Sequence, residues 1–225
     1  MVRAVLFDAA GTLIHLREPV GETYARYARE HGLTVAPSAL QAAFPRALRA
    51  MPPMVFPARA GAERLEAERG WWRAVVRSVF DAAGASGDRF ADFEACFERL
   101  FAHYAEAAAW RRAAGAIELL ASLRGHGVRT GVVSNFDHRL PALLAGLELA
   151  PLLETVVLPA DAGAAKPDPR IFALALARLG VSADEAVYVG DDADDDIAGA
   201  QRAGLRALDV AAVADLRSIE RLLEP

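Results

Sequence analysis

The stretch VRAVLF at 2–7 is apolar but for Arg3, with almost no alternation, which predicts a short strand buried on both faces. The stretch 13–18 reads as a connector. From Pro19 to about Ala105 no segment has strand character. PVGETYARYAREHG predicts a helix with Pro19 near its start and Gly32 at its end. PSALQAAFPRALRAM predicts a second helix, broken or kinked at Pro45. MPPMVFP reads as a loop. GAERLEAERGWWRAVVRSVFDAAG and DRFADFEACFERLFAHYA repeat apolar residues every three or four positions, so about four helices are expected in this block.

Beyond Trp110 the period switches back and forth. GAIELLASLRGHG, HRLPALLAGLEL, DPRIFALALARLG, DDIAGAQRAG and VADLRSIERLL read as helices. VRTGVVSN, LETVVL, AVYVG and LRALDV read as strands. In SADEA, Ser182 and Glu185 have the spacing of a capping box. Strands and helices alternating at this spacing predict an α/β fold with a parallel sheet and right-handed crossovers. The helical block is inserted after the first strand. The expected division is a core of 1–14 and 107–225 and a helical insertion of 15–106.

Composition narrows the partners. The 225 residues are 54% hydrophobic with a net charge of −5, enough for a sizeable core and a poor match to nucleic acid. No apolar run is long enough to span a membrane, and no signal-peptide pattern opens the chain. A soluble, cytoplasmic protein is expected. The one cysteine, Cys96, rules out an internal disulfide and reads as a small core residue. There are 24 arginines against a single lysine, Lys166. In that background a lone lysine suggests a task that arginine does not perform.

In an open parallel sheet, ligands bind at the carboxyl ends of the strands. Four candidate groups fall at such ends: Asp8, then Ser134 with Asn135, then Lys166, then Asp191 and the acidic run after it. Singly, an aspartate at a strand end is an ordinary turn or cap residue. Together the four form a kit for phosphoryl transfer. Two carboxylates do not easily share a site unless a cation or protons separate them, and a hard ion such as Mg²⁺ takes carboxylate and phosphate oxygens. Lys166 adds positive charge, Ser134 a hydroxyl, and the turn at 9–12 backbone amides. An aspartate can itself be the nucleophile.

The segments FDAAGTL, VVSN, AKPDPRIF and VGDDADDDIAGAQRAG resemble the four motifs of the haloacid dehalogenase superfamily, and the resemblance spans essentially the whole chain. REPVGETYARYAREHGL, WWRAVV, SNFDHRL and KPDPRIF are similar to a narrower branch of it. The resemblance implies a Rossmann-like parallel-sheet core with an inserted helical cap of the C1 type. It implies Asp8 as nucleophile, and Mg²⁺ held by Asp8, the backbone carbonyl of Ala10 and Asp191. Ser134 would bind phosphoryl oxygens, Lys166 would steady Asp8 and the phosphate, and Asp196 would hold a metal-bound water or Lys166. Gly11, Thr12 and Asn135 would line the substrate. A small phosphorylated metabolite is the implied partner, and a cis Lys166–Pro167 bond fits the pattern. His15, Arg17, Glu18 and Tyr24 are polar candidates near the entry to the cap. Trp71 and Trp72 are adjacent, so at least one of them is expected in the core. His138 reads as a surface histidine at a helix start.

Position 10 departs from the pattern. Phosphatases of this superfamily usually carry an acid there that protonates the leaving oxygen, and Ala10 cannot. Three readings stay open: an Mg²⁺-dependent phosphatase, a metal-independent 2-haloacid dehalogenase, and a phosphate- or partner-binding protein with little activity. Asp191 counts against the dehalogenase, whose relatives lack a metal-binding acid at that motif. Phosphonoacetaldehyde hydrolase, which also lacks the acid, needs a cap lysine, and the insertion contains none.

Overall fold

The computed structural model describes residues 1–85, 90, 92–213 and 215–223. Residues 88, 89 and 91, at the start of one expected helix, and residue 214, in the expected C-terminal helix, lie outside it. The chain divides into two compact units. The first is Met1–His15 with Arg111–Pro225, and the second is Leu16–Trp110.

The first unit is built on a parallel sheet. Its strands are β1 (Ala4–Phe7), β4 (Arg129–Val133), β5 (Thr155–Val157), β6 (Ala186–Gly190) and β7 (Arg206–Asp209), in spatial order β5-β4-β1-β6-β7. β1 is central, with Phe7 in register with Val132 of β4 and Val189 of β6. The chain winds outward through β4 and β5, then crosses back to lay down β6 and β7. That reversal beside β1 is where sheets of this kind bind ligands. The three central strands end together, so Asp8, Ser134 and Asp191 follow their last residues by chain order alone. The helices are α5 (Ala116–Gly125), α6 (Leu140–Gly146), α7 (Pro159–Ala162), α8 (Pro169–Leu179), α9 (Gly199–Arg202) and α10 (Ile219–Leu223). Ile171, Phe172 and Leu179 of α8 share one buried cluster with Leu6, Val133 and Tyr188. α8 starts where Asp168 caps the Arg170 amide with Pro169 next in line, and ends at Gly180.

The second unit is helical: α1 (Val20–Glu30), α2 (Pro37–Ala50), α3 (Gly61–Ala82) and α4 (Phe93–His103). Its core gathers Tyr24, Leu40, Phe80, Phe93, Cys96, Phe97 and Leu100. Pro45 does not break α2, which runs unbroken through it. Leu40 and Ala43 before the proline and Ala47 after it all lie in that core, and this packing outweighs the one lost backbone bond. Neither Trp71 nor Trp72 is fully buried; both lie half-buried on the cluster. Their rings meet edge-on at 5.0 Å, and Trp71 Nε1 donates to Pro52 O at 2.8 Å.

Two local features differ from the sequence reading. The expected connector contains a short strand, β2 (Ile14–Leu16), paired with β3 (Trp110–Arg112) where the chain leaves and re-enters the core unit. The helix after β6 begins as a wide π-helical turn, Ala193–Ala198, before α9. Among the described residues no helix is long and apolar enough to cross a membrane.

Candidate functional site

Asp8 is the first residue beyond β1 and is only 6% exposed. Its amide donates to Val189 O at 2.8 Å, which ties the loop start to β6. The chain then turns sharply: the carbonyl of Ala9 accepts from the amides of Leu13 and Ile14, both at 2.9 Å. Gly11 makes this turn possible in two ways. Its φ is +106°, and a Cβ there would lie 2.4 Å from an Asp191 carboxylate oxygen. Thr12, fully buried, donates its hydroxyl to Asp191 Oδ1 at 3.3 Å.

Lys166 comes from the loop before α8, and its bond to Pro167 is cis. Asn135 clamps that loop. Its Oδ1 accepts from the Lys166 amide at 2.7 Å and its Nδ2 donates to the Lys166 carbonyl at 3.0 Å. Nδ2 also lies 3.2 Å from Asp195 Oδ2. Asn135 therefore sits in the site but spends both ends of its amide on protein partners. The Lys166 side chain is buried, with Nζ 2.6 Å from Asp8 Oδ1, 2.5 Å from Asp196 Oδ1 and 3.0 Å from the Tyr188 hydroxyl.

Asp196 is delivered by the π-helical turn, which Asp192 caps by accepting the amides of Asp194 and Asp195. While one oxygen of Asp196 faces Lys166, the other accepts the amides of Asp191 and Asp192, each at 3.1 Å. Gly190 leaves room for it, since a Cβ there would meet the Asp196 carboxyl at 2.4 Å. Asp196 thus fixes the backbone that presents Asp191, and its own oxygens are already well occupied. Ser134 is 3% exposed and its hydroxyl hydrogen-bonds Asp8. Ala10 lies at the surface of the turn.

The charges do not balance. Asp8, Asp191 and Asp196 place carboxylate oxygens within 4.8 Å of one another against a single ammonium. Burial raises the Asp8 pKa and Asp196 adds to it, while Lys166 and the Ser134 bond pull it down. Asp191 is pushed up to about 6 by burial and then by Asp8 and Asp196, against the Thr12 bond. Burial works against the Lys166 charge, yet Asp8 and Asp196 outweigh it and raise the lysine. Burial, then Asp8 and Asp196, hold the Tyr188 phenol well above its ordinary value, so it stays protonated. A set of oxygen donors with excess negative charge fits a hard divalent cation.

Asp8, Ser134, Asn135, Lys166, Asp191 and Asp196 therefore meet in one unit, with Gly11 and Thr12 against Asp191. Tyr188 was missed. Its signal was faint: a phenol within the apolar strand AVYVG, where a buried hydroxyl needs a partner.

A family model described as haloacid dehalogenase-like hydrolase matches residues 2–204. The chain is 37% identical over 206 residues to the human haloacid dehalogenase-like hydrolase domain-containing protein 3, covering 92% of this chain and 80% of that one. It is 33% identical over 156 residues to the phosphoserine phosphatase of Thermus thermophilus, covering 66% of this chain and 58% of that one. A crystal structure described as a dehalogenase superposes with a TM-score of 0.74 at 24% identity, covering 100% of this chain and 98% of that one, a likeness of fold.

Proposed function

The chain belongs to the haloacid dehalogenase-like hydrolase family, and on that premise we propose that it is a Mg²⁺-dependent phosphohydrolase acting on a small phosphorylated metabolite. The observation that carries the reading is the cluster itself: three carboxylates and one buried ammonium at the reversal point of a parallel sheet. Mg²⁺ would be held by Asp8, Asp191 and the backbone carbonyl of Ala10, and when bound it supplies positive charge to a transferring phosphoryl group.

A carboxylate oxygen of Asp8 attacks phosphorus. The bond from phosphorus to the leaving oxygen breaks, and its electron pair departs with that oxygen. Water then attacks the phosphorus of the aspartyl phosphate, the bond to Asp8 breaks, and phosphate leaves with the carboxylate restored. Lys166 holds Asp8 in place, and Ser134 presents its hydroxyl to the phosphoryl oxygens. Asp196 sets the position of Asp191. Gly11 and Thr12 shape the turn beside the phosphoryl group. The helical unit Leu16–Trp110 corresponds in this reading to the C1-type cap.

Ala10 has no proton to give to the leaving oxygen. Help of that kind is worth about 10²–10⁴ in rate. The protein should therefore favour esters that leave without it, such as p-nitrophenyl phosphate and acetyl phosphate. The test measures phosphate release from both with Mg²⁺ and with EDTA, beside a panel of alkyl phosphates. Turnover that needs Mg²⁺ and falls by about 10³ or more in Asp8→Asn supports the reading. Ala10→Asp should raise the alkyl phosphate rates. No turnover with saturating Mg²⁺, or halide release from 2-chloropropionate in EDTA, overturns it.

A further inference from the structure

Lys166 has three N–H bonds, and three acceptors surround it. Two are carboxylates, Asp8 Oδ1 at 2.6 Å and Asp196 Oδ1 at 2.5 Å. The third is the hydroxyl of Tyr188 at 3.0 Å. Every other side chain of β6 is apolar or absent, and Tyr188 itself has no exposed surface. Burying a phenol oxygen in such a strand is unfavourable unless its hydrogen bonds are made. This one is well supplied: the hydroxyl lies 2.9 Å from Val133 O at the end of β4 and 2.9 Å from Asp196 Oδ1. It has one proton to donate between those two, and its lone pair receives the lysine. The ring is held by Phe172, edge-on at 5.1 Å. The oxygen is thus anchored to two strands and one helix at the point where the lysine needs a third acceptor.

We infer that Tyr188 is a positioning residue for Lys166, its hydroxyl forming the third leg of a tripod that holds the ammonium against Asp8. Two consequences follow. With its three donors placed on protein atoms, Lys166 acts on the nucleophile more than on the substrate. And an arginine, whose donors are spread in a plane, does not fit three acceptors gathered around one nitrogen. That accounts for a lysine at position 166 in a chain otherwise supplied with 24 arginines.

Because the chain has one lysine, lysine labelled with ¹⁵N at Nζ gives one side-chain ammonium signal, read without any substrate. In the wild type that signal should exchange slowly with water. In Tyr188→Phe, which removes one oxygen, it should shift, and its exchange should quicken at least tenfold. A wild-type signal that exchanges as fast as free lysine overturns the inference, whether or not the variant folds. So does a folded Tyr188→Phe with an unchanged signal.

A second arm rests on the phosphohydrolase reading. With p-nitrophenyl phosphate, Tyr188→Phe should lower kcat tenfold or more and leave KM within about twofold. A fall in melting temperature with kcat unchanged would mark a purely structural role and overturn the inference. If the wild type turns over no phosphate ester while its ammonium signal behaves as expected, the phosphohydrolase reading fails and the positioning role stands.

Discussion

In the helical unit, Phe80 is fully buried among the rings of Tyr24, Phe90 and Phe93, with centroids 5.8, 4.9 and 6.3 Å away. At a similar depth in the core unit lie Asp8, Lys166 and Asp196. Among the described residues, tyrosines aside, the helical unit buries two polar side chains, Thr23 and Glu68. The core unit buries nine, among them the site residues Asp8, Thr12, Ser134, Lys166 and Asp196. The charged groups of α3 and α4 are turned largely outward, as in Arg73 with Glu94 at 3.0 Å. The difference is one of interdependence. An apolar core loses contacts in proportion to what is removed. A buried polar network that loses one member leaves the others with charge and no partner.

Lys166→Met tests that contrast most severely. Removing one partner of a buried ion pair costs about 3–5 kcal/mol. Asp8 would be left facing Asp196 without its cation, so its already raised pKa would rise further and it would bind a proton more tightly in the folded chain than in the unfolded one. Stability should then fall as pH rises through and above the usual carboxylate range. Thermal melts at pH 5 and pH 8 should show the larger loss at pH 8. Equal losses would break the comparison.

Phe80→Ala is the matching lesion in the helical unit. A cavity of that kind costs about 3 kcal/mol. Its cost should be the same at pH 5 and pH 8, because no charge is involved. Urea unfolding at both pH values measures it. A pH-dependent cost would mean that the packing of Phe80 is coupled to a titrating group, and would break the contrast.

Glu185→Gln should give the smallest effect. Its carboxyl is lowered to about 2, first by Arg3 and then by the Ser182 amide and hydroxyl. A depressed acid stabilises the fold above its unfolded value, near 4.5, and that contribution is lost as pH falls toward 2. The wild type should melt slightly above the variant at pH 7, and the gap should close between those limits. A gap that persists at pH 2 would show that the charge is not its source.

The strands and helices were readable where one local signal dominated. VRAVLF is an apolar run, and Ser182 and Glu185 form the expected capping box. At Pro45 the local rule allows a break or a kink, and the packing of Leu40, Ala43 and Ala47, which is not local, carries α2 through without a break. The short strand Ile14–Leu16 reads from the sequence as connector because three residues carry too little periodicity to be seen. The acidic run after Gly190 showed that chemistry was near. It did not show that Asp192 caps the turn, that Asp195 faces Asn135, or that Asp196 turns back to the amides of Asp191 and Asp192.

The sequence by itself determined the parallel α/β core, the helical insertion and the family, along with Asp8, Ser134, Lys166 and Asp191 at strand ends. Each is written in short stretches, where residue type and spacing constrain the backbone directly. Tertiary structure alone decided what these groups touch. Tyr188 reads from sequence as one more core position. Only the register of β1, β4 and β6 brings its hydroxyl to Val133 O, Lys166 Nζ and Asp196 Oδ1. A hydrogen bond depends on distances of a few tenths of an ångström between atoms far apart in the chain. No local pattern of residues encodes such distances.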